Sequence, residues 1–410
     1  MKIVVIGSIA AGVSAAAKLA AESPSARIVV YEKSGFYSCG SCGLPHYLCE
    51  DAAALGAAIK GKETELAAAG IEAHLRHKVQ SIDPAGHRLT VCDLASGRVF
   101  EEQWDKLVIA AGSSNLLPAV PGSSRIGVQT LKNVDDLLFL KEFIRTPYVR
   151  DIVILGGSYA GLELAKAFLR MGRRVQIIEK ERRLLPSFDP EISERVQKAL
   201  EAEGVTFHLG ERVTAFPGQT FLEQVQTDRA AYDCDLCLVA IGVKPNTALA
   251  AGAGIALDQN GAIIVNEKLE TNLPGIYAVG DCTACTPESQ RTSSLRTAGL
   301  EIARTGLTET EAKQARQWQV KSAVAAGNDR PGICPNPNRV SIKLVYDGST
   351  RRVLGAQAWG KKNVAARINA IAVAVAAGMT VEQLAGVDFI YASSASSLWD
   401  PIQIVCNAAR

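Results

Sequence analysis

The sequence predicts an α/β fold with two βαβ units and a separate α+β unit at its end. Three observations predict it. The segment MKIVVIGSIAAGVSAAAKLA opens the chain, and DIVILGGSYAGLELAKAF begins about 150 residues later, at Asp151; each reads as a buried strand, a tight turn of small residues and a helix. A second apolar strand follows each helix and ends in a glutamate, RIVVYE at Glu32 and RRVQIIE at Glu179. The last hundred residues break this pattern, with a helix-like TETEAKQA, the strands VSIKLVYD and VLGAQAWG, and the helix AARINAIAVAVAAGM.

In the first unit, residues 2–7 form the strand and Gly12 to Ala21 the helix. Gly7 and Gly12 occupy the outer positions of a G-x-G-x-x-G turn, while Ile9 fills the middle position, where close approach to a pyrophosphate favours glycine. Glu32 lies about 20 residues after the turn, where a carboxylate hydrogen-bonds ribose hydroxyls while the helix N-terminus faces the pyrophosphate. The second unit repeats this design. Gly156, Ser158 and Gly161 take the three fingerprint positions, and Glu179 favours a free 2′-hydroxyl, hence NADH. Lys180, Arg182 and Arg183 soften that discrimination, so NADPH stays open. Either unit alone reads equally as an ordinary α/β layer. Two together are Rossmann-like nucleotide-binding units, and electron transfer is the natural reason for two nucleotides on one chain. Further strands end in glycine turns at KLVIAAGSS, DLCLVAIGVKPN and IYAVGDC, the last placing Asp281 at the carboxyl end of a sheet.

The 410 residues suffice for two or three domains. A net charge of +2 without a basic run argues against a nucleic-acid partner. The apolar start lacks a basic leader and a cleavage site, and the apolar helix from Ile368 to Met379 is too short to span a bilayer. A cytoplasmic protein without a membrane partner is expected. In a reducing compartment the ten cysteines are thiols, which favours redox chemistry at one or two of them over a disulfide framework. The spacings Cys39/Cys42, Cys234/Cys237 and Cys282/Cys285 are each C-x-x-C. Zinc is disfavoured because Cys234 and Cys237 sit at the start of a strand, where residues three apart face opposite sides, and Cys282/Cys285 follows the Gly280-Asp281 turn, so no metal is expected.

With these residues the chain resembles the flavin-dependent pyridine nucleotide–disulfide oxidoreductases, in the single-cysteine branch of coenzyme A-disulfide reductase, NADH oxidase and NADH peroxidase. The resemblance covers nearly the whole chain. It is carried by GSIAAG with Glu32, SCGSCGLPHY, IAAGSS, GGSYAGLE with Glu179, AIGVKPN and IYAVGD, and later by TGLTE, LGAQAWG, GMTVEQLAGVDFIYA and WDPI, in order and spacing. It implies an FAD-binding domain (1–113 and 243–303) interrupted by an NAD-binding domain (114–242), and a C-terminal dimerisation domain (304–410) that makes a homodimer. FAD and NADH are the implied cofactors.

Residue by residue, the resemblance puts the FAD pyrophosphate over Gly7, Ala10, Ala11 and Gly12, and its adenosine ribose at Glu32 and Lys33. Val79 falls near the adenine, Ala111, Gly112 and Ser113 along the flavin, and Asp281 at the ribityl chain. Tyr159 matches the aromatic that covers the flavin, Glu163 the acid near the nicotinamide, and Gly242 the turn beneath NAD. Cys42, with Ser38 four residues before it, matches the redox cysteine. GLPHYL after Cys42 also reads as a helix start with Pro45 in its first turn, a setting that favours a thiolate. Tyr391 matches a tyrosine that coenzyme A-disulfide reductases supply from the partner subunit, and His46 is an acid–base candidate near Cys42.

The implied activity carries electrons from NADH through FAD to Cys42, then to a small disulfide or polysulfide such as coenzyme A disulfide. One alternative is an NADH oxidase or peroxidase acting on oxygen or peroxide, against which stands Ala10, where those enzymes carry a histidine. Another is an NADH-binding redox sensor without turnover. One departure stands out: after Asp281 about twenty residues of the family pattern are missing, so that either a shortened helix stands where the family places one or flavin affinity and potential are altered.

Overall fold

The computed structural model describes residues 1–37, 40, 43–50, 52–284, 292–392 and 396–409. The chain divides into two compact units. The first takes in residues 1–152, 214–226 and 231–285, the second residues 153–213, 227–230 and 286–410.

The first unit is built on a parallel sheet ordered β18-β7-β1-β2-β3, from β1 (Lys2–Ile6), β2 (Arg27–Tyr31), β3 (Glu72–His74), β7 (Lys106–Ile109) and β18 (Ile276–Ala278). The central strands β1 and β7 are short apolar runs buried on both faces, as a parallel sheet requires. Helix α1 (Ala10–Glu22) begins two residues before the expected start, because Ile9 already serves as its N-cap. A short helix α2 (Leu44–Leu48) and a longer α3 (Ala52–Ala68) follow β2. The antiparallel sheet β4-β5-β6 (His77–Asp83, Arg88–Asp93, Val99–Gln103) shares a core with one face of the main sheet, through Val79, Leu89, Val91 and Trp104. Beyond β7, β8 (Ser113–Asn115) pairs antiparallel with β17 (Val243–Pro245), and β9 (Val128–Gln129) pairs parallel with β16 (Leu236–Val239). Helix α4 (Val134–Ile144) starts at a capping box formed by Asn133 and Asp136. A small sheet β13-β14-β15 (Val213–Ala215, Gln224–Thr227, Ala231–Asp233) and helix α7 (Ala248–Gly252) complete the region.

In the second unit, β10 (Asp151–Leu155) leads through α5 (Tyr159–Arg170) to β11 (Arg174–Glu179), then through α6 (Pro190–Ala202) to β12 (Thr206–Leu209), which pairs parallel with β11. The rest is an antiparallel sheet ordered β19-β20-β23-β22-β21, from β19 (Ser293–Thr297), β20 (Leu300–Gly306), β21 (Val320–Asn328), β22 (Arg339–Asp347) and β23 (Val353–Gly360). Helices α9 (Val364–Ala376), α10 (Val381–Ala385) and α11 (Pro401–Ala408) bury Ile368, Ile371, Leu384, Ile402 and Val405 in one core with Ile342 and Leu344 of β22. A further helix, α8 (Glu309–Ala315), follows β20. No helix among the described residues is long and apolar enough to cross a membrane.

The segment after Asp281 differs from expectation. Among the described residues it holds no α-helix, only the 3-10 turn Gly280–Cys282 and then the hairpin β19–β20. The alternation in SSLRT-AG-LEIARTG is a strand pattern, and the expected boundary at 303/304 falls inside β20. The hairpin turns on Ala298 (φ 48°) and Gly299 (φ 67°). A two-residue turn with both φ values positive is of type I′, for which Asn-Gly is the favoured pair. Replacing Ala298 with Asn is expected to stabilise the protein by about 1 kcal/mol, since alanine bears the left-handed cost that asparagine largely escapes; urea unfolding measures this, and an unchanged midpoint would contradict it.

Candidate functional site

The turn between β1 and α1 shows why its glycines are required. Gly7 has φ +103°, and a Cβ there would meet the Ala110 carbonyl oxygen at 2.3 Å; a Cβ on Gly12 would lie 1.9 Å from the Gly7 oxygen. The chain therefore passes β1 close to β7 and begins α1 directly on the turn. Gly280 (φ +78°) brings the Asp281 turn equally close, for its Cβ would lie 2.7 Å from that of Ala11.

Glu32 is buried and tied to this turn. Its Oε2 accepts the Ser8 backbone N–H (2.8 Å) and hydroxyl (3.2 Å), and its Oε1 accepts the Ser34 N–H (2.8 Å). One lone pair on Oε1 remains for a ligand hydroxyl. A cavity of about 850 Å³ opens over the turn, within the range of small-molecule sites. Gly7, Glu32, Lys33, Val79, Ala111 and Ser113, all read from the sequence, line it. Gly112 adopts φ +64° between two of them. Ser113 donates its hydroxyl proton to Asp281 Oδ2 at 2.8 Å.

The structure adds residues that sequence reading missed. Lys132 Nζ donates to Ser113 Oγ at 2.8 Å, lies 3.4 Å from Asp281 Oδ2 and lines the cavity. It immediately precedes the Asn133–Asp136 capping box that starts α4. Asn246 donates its side-chain amide to the Ala111 carbonyl (2.9 Å) and accepts the Ser114 hydroxyl (2.7 Å). Gly242, in the same unit, accepts the Leu116 N–H at 2.9 Å. His77 lines the cavity beside Tyr31 and Val79.

The second unit repeats the first with an offset of about 150 residues. Gly156 has φ +107°, and a Cβ on Gly161 would lie 2.0 Å from the Gly156 oxygen. Ser158 caps α5. Buried Glu179 accepts the Gly157 N–H on Oε2 (2.7 Å) and the Glu181 N–H on Oε1 (2.9 Å), as Glu32 does with Ser8 and Ser34. Each oxygen keeps one lone pair, enough for the two hydroxyls of a ribose. On α5, burial raises the Tyr159 hydroxyl pKa despite its 2.5 Å hydrogen bond with Ser293. Burial likewise raises the Glu163 carboxyl, against the pull of Lys166.

The catalytic candidates fall unevenly. Cys42, Cys39 and Ser38 lie outside the described residues. The expected helix after Cys42 is present as α2, capped by Gly43 and with Pro45 in its first turn. His46 sits on it with a solvent-exposed ring 3.7 Å from Glu50. Tyr391, in the second unit, is 61% exposed. Of the other thiols, burial pushes Cys234 up to about 12, aided by Asp235, Asp151 and Asp233, and raises Cys237 and Cys282. These three are packing groups kept neutral at ordinary pH.

Comparison with known proteins agrees with this geometry. Residues 1–305 match the family described as pyridine nucleotide-disulphide oxidoreductase, and residues 294–401 match its dimerisation domain. A CoA-dependent NAD(P)H sulfur oxidoreductase of Pyrococcus abyssi is 31% identical, over 100% of this chain and 98% of that protein. An NADH oxidase of Enterococcus faecalis is 29% identical, over 100% of this chain and 99% of that protein. The structure of an NAD-dependent persulfide reductase from A. fulgidus superposes with a TM-score of 0.92 at 28% identity, covering 100% of this chain and 83% of that one.

Proposed function

The chain belongs to the pyridine nucleotide-disulphide oxidoreductase family, as an NAD(P)H-dependent flavoprotein, and from that premise we propose that it delivers electrons through Cys42 to a small disulfide or polysulfide such as coenzyme A disulfide. The observation that carries this reading is the repeated carboxylate-clamped glycine turn, Glu32 with Gly7–Gly12 and Glu179 with Gly156–Gly161, in a chain that also carries a cysteine two residues before the start of α2. The cavity over the first turn fits FAD: the glycines let α1 begin directly on the turn, so that its free N–H groups face a pyrophosphate, and Glu32 offers a ribose acceptor. When bound, FAD supplies the two-electron exchange between nicotinamide and sulfur.

The chain's own residues do the rest. Glu32, Val79, Ala111, Gly112, Ser113 and Asp281 hold FAD, with Lys132 keeping Ser113 and Asp281 in register. Gly156, Ser158, Gly161 and Glu179 hold NADH. Of the cations following Glu179, Arg183 is committed to the carbonyls of Pro186 and Phe188, which leaves Lys180 and Arg182 and supports NADH over NADPH. Tyr159 and Glu163, neutral longer than usual because they are buried, border the nicotinamide. Gly242 belongs beneath NAD. The division into an FAD domain (1–113, 243–303), an NAD domain (114–242) and a dimerisation domain (304–410) follows the same reading, with the β19–β20 hairpin assigned to the last. A second copy of the chain covers Ile390, Leu398 and Trp399, which are more than half exposed, and Tyr391 reaches that copy's Cys42, where His46 exchanges protons. The ten cysteines, read as thiols of a reducing compartment, support a cytoplasmic enzyme.

The acceptor is tested by NADH consumption under nitrogen with coenzyme A disulfide or polysulfide. Turnover that requires oxygen would overturn the disulfide reading in favour of the oxidase activity named for the E. faecalis relative. Replacing Cys42 with Ser is expected to lower disulfide-dependent turnover by more than about a thousandfold, as removal of a covalent catalyst does; a variant with full activity would exclude the cysteine relay.

A further inference from the structure

Helix α2 has five residues, too few to hold itself by backbone bonds alone. Burial and a lysine help to fix it. Leu44 and Leu48 are buried, and Lys141 Nζ, from the facing helix α4, donates to the carbonyl oxygens of Tyr47 (2.8 Å) and Glu50 at the far end of α2. The last carbonyls of a helix lack donors from within it, and an ammonium suits them. Helix α4 is the firmer member of the pair. It starts at the Asn133–Asp136 capping box and buries Val134, Leu137, Leu140 and Ile144. Its N-terminal neighbour Lys132 is bonded to Ser113 at the cavity. One helix is thus registered to the cavity at its start and to α2 near its end. The N-cap of α2 is Gly43, whose N–H donates to the Gly40 carbonyl at 2.8 Å, and Cys42 is bonded covalently to Gly43.

We propose that Lys141 is a positioning residue for the reaction: by gripping the C-terminal carbonyls of α2 it sets where Cys42 stands relative to the cofactor cavity. This rests on the reading of Cys42 as the redox cysteine. Lys141 does not line the cavity. It acts through α2, and a loosened α2 misplaces the sulfur while leaving the cavity intact.

The test uses the FAD-loaded full chain with Lys141→Met and Lys141→Arg. The methionine variant is expected to keep its flavin content but to lose about tenfold to a hundredfold in kcat/KM for coenzyme A disulfide, the scale of a small misplacement at a reacting centre. The pH profile of Cys42 alkylation by iodoacetamide, read on the Cys42 peptide by mass spectrometry, shifts away from that of the wild type. Arginine, which can donate to both carbonyls, restores most of both readouts. A methionine variant with the wild-type alkylation profile and kcat/KM overturns the proposal, as does an arginine variant no better than methionine. Should the methionine variant fail to fold, Lys141→Gln is read the same way, with a partial loss expected. A Cys42→Ser control separates the two readings. Full activity in it rejects the role of Cys42, whereas loss there with no effect at Lys141 rejects only the positioning role.

Discussion

Replacing Gly12 with Ala is expected to yield a protein that binds FAD about a hundredfold more weakly, and replacing Gly161 with Ala should do the same to NADH while leaving flavin in place. At both positions the added methyl would land about 2 Å from a backbone carbonyl oxygen, that of Gly7 or Gly156. A backbone oxygen cannot rotate away as a side chain can, so the helix must move off the turn. Overpacking of this kind costs about 1–3 kcal/mol. The severity of the overlap puts both sites at the upper end, and about 1.4 kcal/mol corresponds to a factor of ten in affinity. Flavin absorbance of the purified variants and anaerobic NADH titration separate the two effects. A Gly12→Ala protein that retained stoichiometric FAD, or a Gly161→Ala protein with unchanged NADH affinity, would contradict the assignment of the first turn to FAD and the second to NADH.

Replacing Lys343 with Met is expected to destabilise the second unit by about 3–5 kcal/mol, the cost of leaving the buried Asp189 carboxylate without its cation. Lys343 is almost fully buried on β22 and meets Asp189 (2.9 Å), Glu309 (2.8 Å) and Glu191. Asp189 also accepts hydrogen bonds from Gln357 Nε2 (2.5 Å) and Thr310 Oγ1 (2.6 Å). Burial alone would raise the Asp189 carboxyl, but Thr310, Lys343 and Gln357 outweigh it and hold it at about 2. A depressed carboxylate contributes stability that is fully present above its unfolded value of 3.8 and is lost as pH falls through about 2. Urea midpoints measured from pH 5 to pH 2 should therefore drop steeply for the wild type and less for the variant. An added Asp189→Asn should recover part of the loss, because the uncompensated charge is what costs most. Equal pH dependence in the two proteins would show that the lysine does not hold Asp189 ionised.

Much of the site was legible because glycine turns and strand-terminal glutamates are local. Gly7, Gly12, Glu32, Gly156, Gly161 and Glu179 lie where strand, turn and helix follow within about 30 residues, and period and spacing reveal them. The residues missed are the ones that act across the chain. Lys132 reaches Asp281, Lys141 holds α2, and Lys343 gathers carboxylates from α6 and α8. A lysine on a helix or strand looks the same in sequence whether it faces water or three acids. The hairpin at 293–306 was missed for another reason: its alternation was present, but the resemblance called for a helix there.

By itself, the sequence determined two strand–glycine-turn–helix units, the strand-terminal carboxylates Glu32 and Glu179, the placement of one cysteine two residues before a helix and the α+β character of the end, because each depends on neighbours within a few residues. Only the tertiary structure decided which charged groups are buried together, where the antiparallel sheet begins, and what supports the short helix after Cys42. Those depend on contacts between segments tens to hundreds of residues apart, which no local period records.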